Sequence, residues 1–246
     1  MNVVNLNSAS LNSKRLNVIG DIRSSAGGGG GGYDENYLTL IIEDSAIFRF
    51  PISLEYNVDG SGWTSIAAGT FTPYFEKGQF VALRANATQQ ITAISASGKF
   101  SVAGNIMSLI YGDNAADNDA ITTNIFEALF NGCKSLVRAK ELKLPATTLA
   151  NYCYGNMFNG CTSLVTAPEL PTKRLSNKYC YNYMFNGCTS LKYVKAMFTS
   201  VSYANAVSGW LTGVAENGVF VKNSAATWDN ATYGVPSGWT IEYADA

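Results

Sequence analysis

Four arrangements of apolar and polar residues follow one another along the 246 residues of this chain. From 1 to 32, Val3, Val4, Leu6, Leu11, Leu16, Val18, Ile19 and Ile22 stand singly or in pairs among polar residues, and Gly27 to Gly32 form an unbroken glycine run. Scattered apolar residues ahead of a segment with maximal backbone freedom predict an extended glycine-rich arm with no core of its own. From 33 to 104 the pattern shortens to runs rich in β-branched and aromatic residues, at 37–42, 46–50, 53–56, 80–84 and 99–102. Between them lie Asp59-Gly60-Ser61-Gly62, Glu76-Lys77-Gly78 and Ser97-Gly98. Short strands with such punctuation predict a small β-sandwich-like domain, with Trp63 and Tyr74 packing its core or edge.

From 105 to 200 a repeat takes over. Phe185-Asn186-Gly187-Cys188-Thr189-Ser190-Leu191 occurs also at Phe158 to Leu164 and, with one change, at Phe130 to Leu136. The cysteines at its centre step by 28 and then 27 residues, within the window that marks stacked supersecondary units. Ahead of each motif, apolar residues fall four apart in adjacent pairs: Ile125, Phe126, Leu129 and Phe130; Cys153, Tyr154, Met157 and Phe158; Cys180, Tyr181, Met184 and Phe185. That spacing predicts one short helix per repeat, stopped by Gly132, Gly160 or Gly187. Runs beginning at Leu136, Leu164 and Leu191 then predict one strand or extended turn each, two of them ended by Pro145 and Pro171. A helix of about ten residues and a lone strand are each marginal alone, so the three units are expected to stack as a short solenoid. From 201 to 246, Val219 to Lys222 and Gly238 to Tyr243 predict a β-hairpin cap over the last unit. The fold expected from the whole pattern is mixed α+β: arm, sandwich-like domain, repeat solenoid, cap.

Charge changes this picture locally. Between Cys133 and Lys195 nine lysines and arginines face only Glu141 and Glu169, whereas the rest of the chain carries eight basic and sixteen acidic residues. A basic repeat flank beside acidic neighbours is either a solvated surface or a face for an anionic partner. Side chains between the apolar positions of the extended runs should point outward and align from unit to unit, which selects Arg138, Lys140, Lys143, Thr166, Lys192, Tyr193 and Lys195 as candidate binding residues.

The five cysteines all lie in the repeats. Position 125 is Ile where the next two units have Cys153 and Cys180, there is no Cys-x-x-Cys, and the chain has no histidine. Zinc and disulfide frameworks fit poorly, and buried free thiols are expected. The acidic loop 112–119 brings Asp113, Asp117 and Asp119 close in sequence, as a Ca²⁺ site would require. It lacks the EF-hand register and reads rather as a turn and helix cap. The absence of histidine, of a P-loop and of a Gly-x-Ser-x-Gly elbow argues against an enzyme, a two-carboxylate glycan hydrolase being the remote alternative. No cofactor is implied. No apolar run reaches the roughly 20 residues of a membrane span, and the first 32 residues have no continuous apolar block like that of a secretory signal.

Phe-x-x-Cys-x-x-Leu followed by an extended Leu-Pro segment resembles the BspA-like leucine-rich repeats of bacterial surface and adhesion proteins. The resemblance runs over about 120 to 200, on Phe130, Cys133, Leu136, Phe158, Cys161, Leu164, Phe185, Cys188 and Leu191. The unit here is longer than that family's, with Tyr-Cys-Tyr and Asn-Gly where the family prefers Ile-Gly and Ala-Phe. The whole layout is similar to proteins of gut Bacteroidales and of the tailed phages that infect them. The resemblance implies adhesion or virion decoration, and it supplies no site residues because the matching positions are core. The function expected is that of a structural and adhesive protein of a phage particle, a head fibre, tail fibre or capsid decoration displayed on the virion surface. Its arm would contact other virion subunits, its repeats a host surface glycan or protein, and the chain would be a homo-oligomer with no nucleic acid partner and no membrane insertion. A bacterial cell-surface adhesin is the alternative.

Overall fold

The computed structural model describes residues 32–245. The arm residues Val3, Val4, Leu6, Leu11, Leu16, Ile19 and Ile22 lie outside the described residues.

The first part of the chain forms strands β1 (Leu38–Ile42), β2 (Phe48–Arg49), β3 (Leu54–Val58), β4 (Trp63–Ile66), β5 (Phe80–Arg84), β6 (Ser95–Ala96) and β7 (Phe100–Asn105). After helix α1 (Ser108–Tyr111) and a 3-10 turn over Gly112–Asp117 come β8 (Glu141–Lys143), β9 (Thr166–Leu170), β10 (Arg174–Leu175), β11 (Tyr193–Ala196), β12 (Ser200–Val201), β13 (Gly218–Asn223) and β14 (Trp239–Ala244).

The expected mixed α+β class is corrected: the described chain is mostly β, in several separate sheets, and its one α-helix has four residues. The expected β-sandwich is instead one main sheet of order β4-β3-β5-β1-β7-β8, beside a two-stranded β2-β6 ladder. Every neighbour in the main sheet is antiparallel except β8, which comes from the first repeat and runs parallel to β7. β1 is buried along its whole length because Leu38, Leu40 and Ile42 face the main core while Ile41 packs with Tyr33, Ala103 and Phe80 on the other side.

The expected leucine-rich-repeat solenoid, with a helix in each unit, is also corrected. The apolar stretch of each repeat is a row of consecutive four-residue turns. In the second repeat the N–H groups of Gly155, Met157, Asn159 and Cys161 each close a turn on the carbonyl three residues back, at 3.0 to 3.3 Å. The intervening N–H groups of Tyr154, Asn156, Phe158 and Gly160 donate to carbonyls of the third repeat, Cys180, Asn182, Met184 and Asn186, at 2.7 to 3.1 Å. Half the donors therefore build the row and half join it to the next, which satisfies the backbone without a helix. Such turns need a left-handed residue at every fourth position, and they have it: Asn124, Ala128 and Gly132, then Tyr152, Asn156 and Gly160, then Tyr179, Tyr183 and Gly187 all have φ between 51° and 73°. Apolar residues four apart thus share the inner side of a turn row and imitate a helical stripe.

The rows lie directly on one another. Phe158 stacks between Phe130 and Phe185, at 5.4 and 5.5 Å with the rings within 12° of parallel, and Tyr154 between Phe126 and Tyr181 at 6.0 Å each. A fourth row that lacks the cysteine follows at Ala206 to Gly213, where Gly213 sits over Gly187 and Trp210 occupies the place of Met184. On the other side, β9, β11, β13 and β14 form a four-stranded parallel sheet. The expected terminal hairpin is corrected accordingly, since β13 and β14 run parallel and add two further strands to the column. One continuous core extends from Leu38 in the main sheet to Trp239 at the far end.

Candidate functional site

The turn rows and the strand column present two faces. The strand face carries the residues selected from sequence. Arg138 bridges to Thr166, and Thr166 pairs with Tyr193, so these three lie in one row across neighbouring units. Lys195 lies one step along, beside Glu169. Lys140, Lys143 and Lys192 are exposed.

Much of the cationic charge on this face is already matched. Arg138 donates to Glu43 at 3.0 Å, Lys195 to Glu169 at 2.8 Å, and Lys143 pairs with Glu35. Lys140 lies 4.0 Å from Glu141. The sequence counted nine cations in this segment, but three of the selected ones meet carboxylates, two of those from the β-domain, far away in the chain. The hydroxyl of Thr166 is buried and has no hydrogen-bond partner among the described residues.

The turn face was not selected from sequence, and it holds the aromatic residues. Tyr152 and Tyr179 stack at 4.6 Å, Tyr183 and Tyr203 are each 43% exposed, and the Lys178 ammonium lies 5.5 Å above the Tyr203 ring. The signal was present in the spacing. Positions eight and four before each motif glycine are left-handed and half-buried or exposed, and they read Asn, Ala in the first repeat, Tyr, Asn in the second and Tyr, Tyr in the third. Asn156 also accepts a hydrogen bond from the Asn159 side chain at 3.1 Å.

The thiols face inward. All five are free and buried, and the Sγ groups of Cys161 and Cys188 donate to the carbonyls of Phe130 and Phe158, one repeat back, at 3.0 Å. Burial pushes the Cys133 thiol up to about 11 and those of Cys180 and Cys188 to about 12. Such thiols are poor nucleophiles and poor metal ligands at neutral pH.

The acidic loop is divided among structural partners. Asp113 accepts a hydrogen bond from the Tyr37 hydroxyl at 2.8 Å and two from Arg84 at 2.7 and 2.9 Å, and these, the tyrosine first, lower its carboxyl pKa from the ordinary value. Asp119 accepts from Thr147 at 2.9 Å, and Asp117 is exposed. Among the described residues no three acidic, cysteine or histidine side chains are placed to hold a metal ion together. Trp63 is likewise engaged, with the Arg84 guanidinium 4.1 Å over its ring and Tyr37 edge-on at 4.9 Å.

Comparisons with protein-family models, with curated proteins and with solved structures return no match.

Proposed function

We propose that this chain is a structural and adhesive protein of a phage particle. Its first 32 residues anchor it to other virion subunits, and its repeats are displayed for contact with a host surface or a neighbouring subunit. The observation that carries this reading is the division of labour within each repeat. Every recurring Phe, Cys and Leu is spent on packing one unit against the next, and the core positions beside them exchange one buried apolar residue for another. Arg138, Thr166 and Tyr193, like Ala128, Asn156 and Tyr183, change chemistry from repeat to repeat in columns on the outer side. A periodic outer surface of this kind suits many weak parallel contacts, whose combined strength far exceeds each one. BspA-like repeats, which the motif resembles, serve adhesion in the same way.

The test is incorporation. Removing residues 1–32 should abolish assembly into particles while the remainder keeps its fold by circular dichroism, and particles that still carry the truncated chain would refute the anchoring role. Reversing charge at Arg138, Lys140 and Lys192 separates the strand face from the turn face: unchanged attachment to cells and neighbours would leave the basic stripe as solvated surface.

A further inference from the structure

The two ends of the stack of turn rows are finished differently. Each row accepts hydrogen bonds on alternate carbonyls from the row before and donates alternate N–H groups to the row after. At the first row the chain closes the exposed carbonyls itself: Ile125 accepts from the Ile91 N–H at 2.9 Å and Leu129 from the Ile94 N–H at 2.8 Å. At the fourth row the carbonyls of Ala206, Ser208, Trp210 and Thr212 accept from Tyr181, Tyr183, Phe185 and Gly187. The N–H groups that would continue the series are those of Gly209, Leu211 and Gly213, and none of the three has a hydrogen-bond partner among the described residues. The end loop does cover the core beside them, where the Trp210 indole donates to the Tyr233 carbonyl at 2.7 Å. It stops short of the turn row and leaves two clefts of about 250 and 460 Å³ that share Leu211 and Gly234.

We infer that this open row is a docking site for a polypeptide segment of another protein, which adds a fifth row by offering carbonyl oxygens at alternate residues to Gly209, Leu211 and Gly213. The ligand class is read from the molecule itself, because three internal junctions already show what such a row of donors binds. A single small anion fits poorly, since in each junction the donors engage three or more separate acceptors along the chain rather than converging on one point. A second copy stacked head to tail is disfavoured, because of the first-row carbonyls that would meet these donors Leu129 already accepts from the Ile94 N–H and Glu127 from the Gln90 side chain at 3.4 Å, with the Ile91 N–H closed onto Ile125 beside them. Charge narrows the partner further. Between Asn205 and Asp245 the only cation is Lys222, which is buried, while Glu216, Asp229, Glu242 and Asp245 are exposed, so a neutral or basic segment is favoured. Leu211 is buried and Gly209 half-buried, and leaving N–H groups unpaired in such settings is costly, which supplies part of the affinity; Gly213 is exposed and adds less.

Amide exchange measured by NMR on the full chain tests this. In the free protein the amides of Gly209, Leu211 and Gly213 should exchange about 100-fold faster than the equivalent Tyr183, Phe185 and Gly187. The probe is a synthetic peptide of residues 178–190 carrying Cys180→Ser and Cys188→Ser, since this sequence forms the row that closes the second repeat. Its addition should slow exchange at the three amides about tenfold or more, and Ala231→Trp, on the exposed wall of the smaller cleft, should abolish that effect while leaving the rest of the spectrum in place. Three amides already protected in the free chain would overturn the inference. So would no change with peptide at millimolar concentration, or equal protection by inorganic phosphate that peptide fails to displace.

Discussion

Alkaline pH acts on the cysteine ladder directly, and its effect can be worked out from burial alone. The five cysteines are at most 5% exposed, and loss of solvent raises every one of their thiol pKa values, to about 11 at Cys133, about 12 at Cys180 and Cys188, and higher still at Cys153 and Cys161. In an unfolded chain a thiol ionises near about 8.5 to 9. Between about pH 9 and 11 the unfolded state has therefore lost protons that the folded state keeps, so stability is full below that window and falls as pH rises, by up to about 1.4 kcal/mol per thiol per pH unit. At about pH 10.5 each thiol has removed roughly 2 kcal/mol and the five together about 10 kcal/mol, against a total stability on the order of 5–15 kcal/mol. Tyr154 and Tyr181, fully buried with pKa values raised well above 10, add to the loss in the same direction. Cooperative unfolding is expected between about pH 10 and 11, followed by near-UV circular dichroism and by urea midpoints at each pH. Cys161→Val, which keeps the site apolar and removes one titrating group, should flatten the slope of stability against pH by about one-fifth. A urea midpoint that stays constant from pH 8 to 10.5, or native thiols that react at pH 8 as fast as those of the urea-unfolded chain, would refute the reasoning.

Removing the ring of Phe158, held between Phe130 and Phe185, should cost about 3–5 kcal/mol as Phe158→Ala in urea denaturation, whereas Phe71→Ala, at a 63% exposed ring, should change stability by less than about 0.5 kcal/mol. Ala128 has φ +62°, so Ala128→Gly should raise stability by roughly 0.5 kcal/mol, the left-handed penalty removed exceeding the entropy that glycine adds to the unfolded chain; a lower urea midpoint would mean the turn row is not left-handed there. Gly209→Ala places a methyl group 2.4 Å from the Tyr183 ring at a φ of +62° and should lower the thermal midpoint by several degrees, with Tyr183→Ala restoring part of the loss. Arg84→Met breaks the bonds to Glu55 and Asp113 and leaves Trp63 covered by a neutral chain, at a cost of about 2 kcal/mol visible as a shift in tryptophan emission and a lower urea midpoint.

The sequence showed where the order lies and not what conformation it takes. The strands near 37–42, 53–56, 80–84 and 99–102 could be read because alternation and turn residues act locally. The repeat period could be read because identical rows need identical inward residues. The helices could not be separated from turn rows, since over eight residues a spacing of four and a period of 3.6 select the same apolar positions. Only the left-handed residues at 124, 128, 152, 156, 179 and 183 distinguish the two, and Tyr or Ala at such sites carries no glycine-like signature. The fourth row was hidden for a related reason: Trp210, Leu211 and Val214 replace the Met, Phe and Cys of the motif, and only Gly213, 26 residues after Gly187, keeps its frame. The strand face was chosen on alternation, but the carboxylates of Glu35 and Glu43 that meet it come from about a hundred residues away, and no local pattern carries that information.

The cysteine position itself explains why the motif is so uniform while its surroundings vary. The Phe130 carbonyl accepts the Cys133 N–H within its own row and the Cys161 thiol from the next, and the Phe158 carbonyl does the same with Cys161 and Cys188. At Cys161 and Cys188 the side chain is small, suits a buried setting and still donates across the junction, a bond that Val214 at the same place in the fourth row does not make. Serine would donate but resists desolvation, and alanine or valine would leave the second lone pair unmet. The outward left-handed positions make no such hydrogen bond across the junction, although Tyr152 and Tyr179 stack over it, and there the three repeats differ as Asn124, Tyr152 and Tyr179 or as Ala128, Asn156 and Tyr183. Uniform positions thus report packing, while the variable ones divide between core sites that exchange apolar residues, such as Ile125, Cys153 and Cys180, and the outward sites. A ligand that distinguished one repeat from another would have to read outward positions that vary, and these occur both on the turn face, at Ala128, Asn156 and Tyr183, and on the strand face, at Arg138, Thr166 and Tyr193.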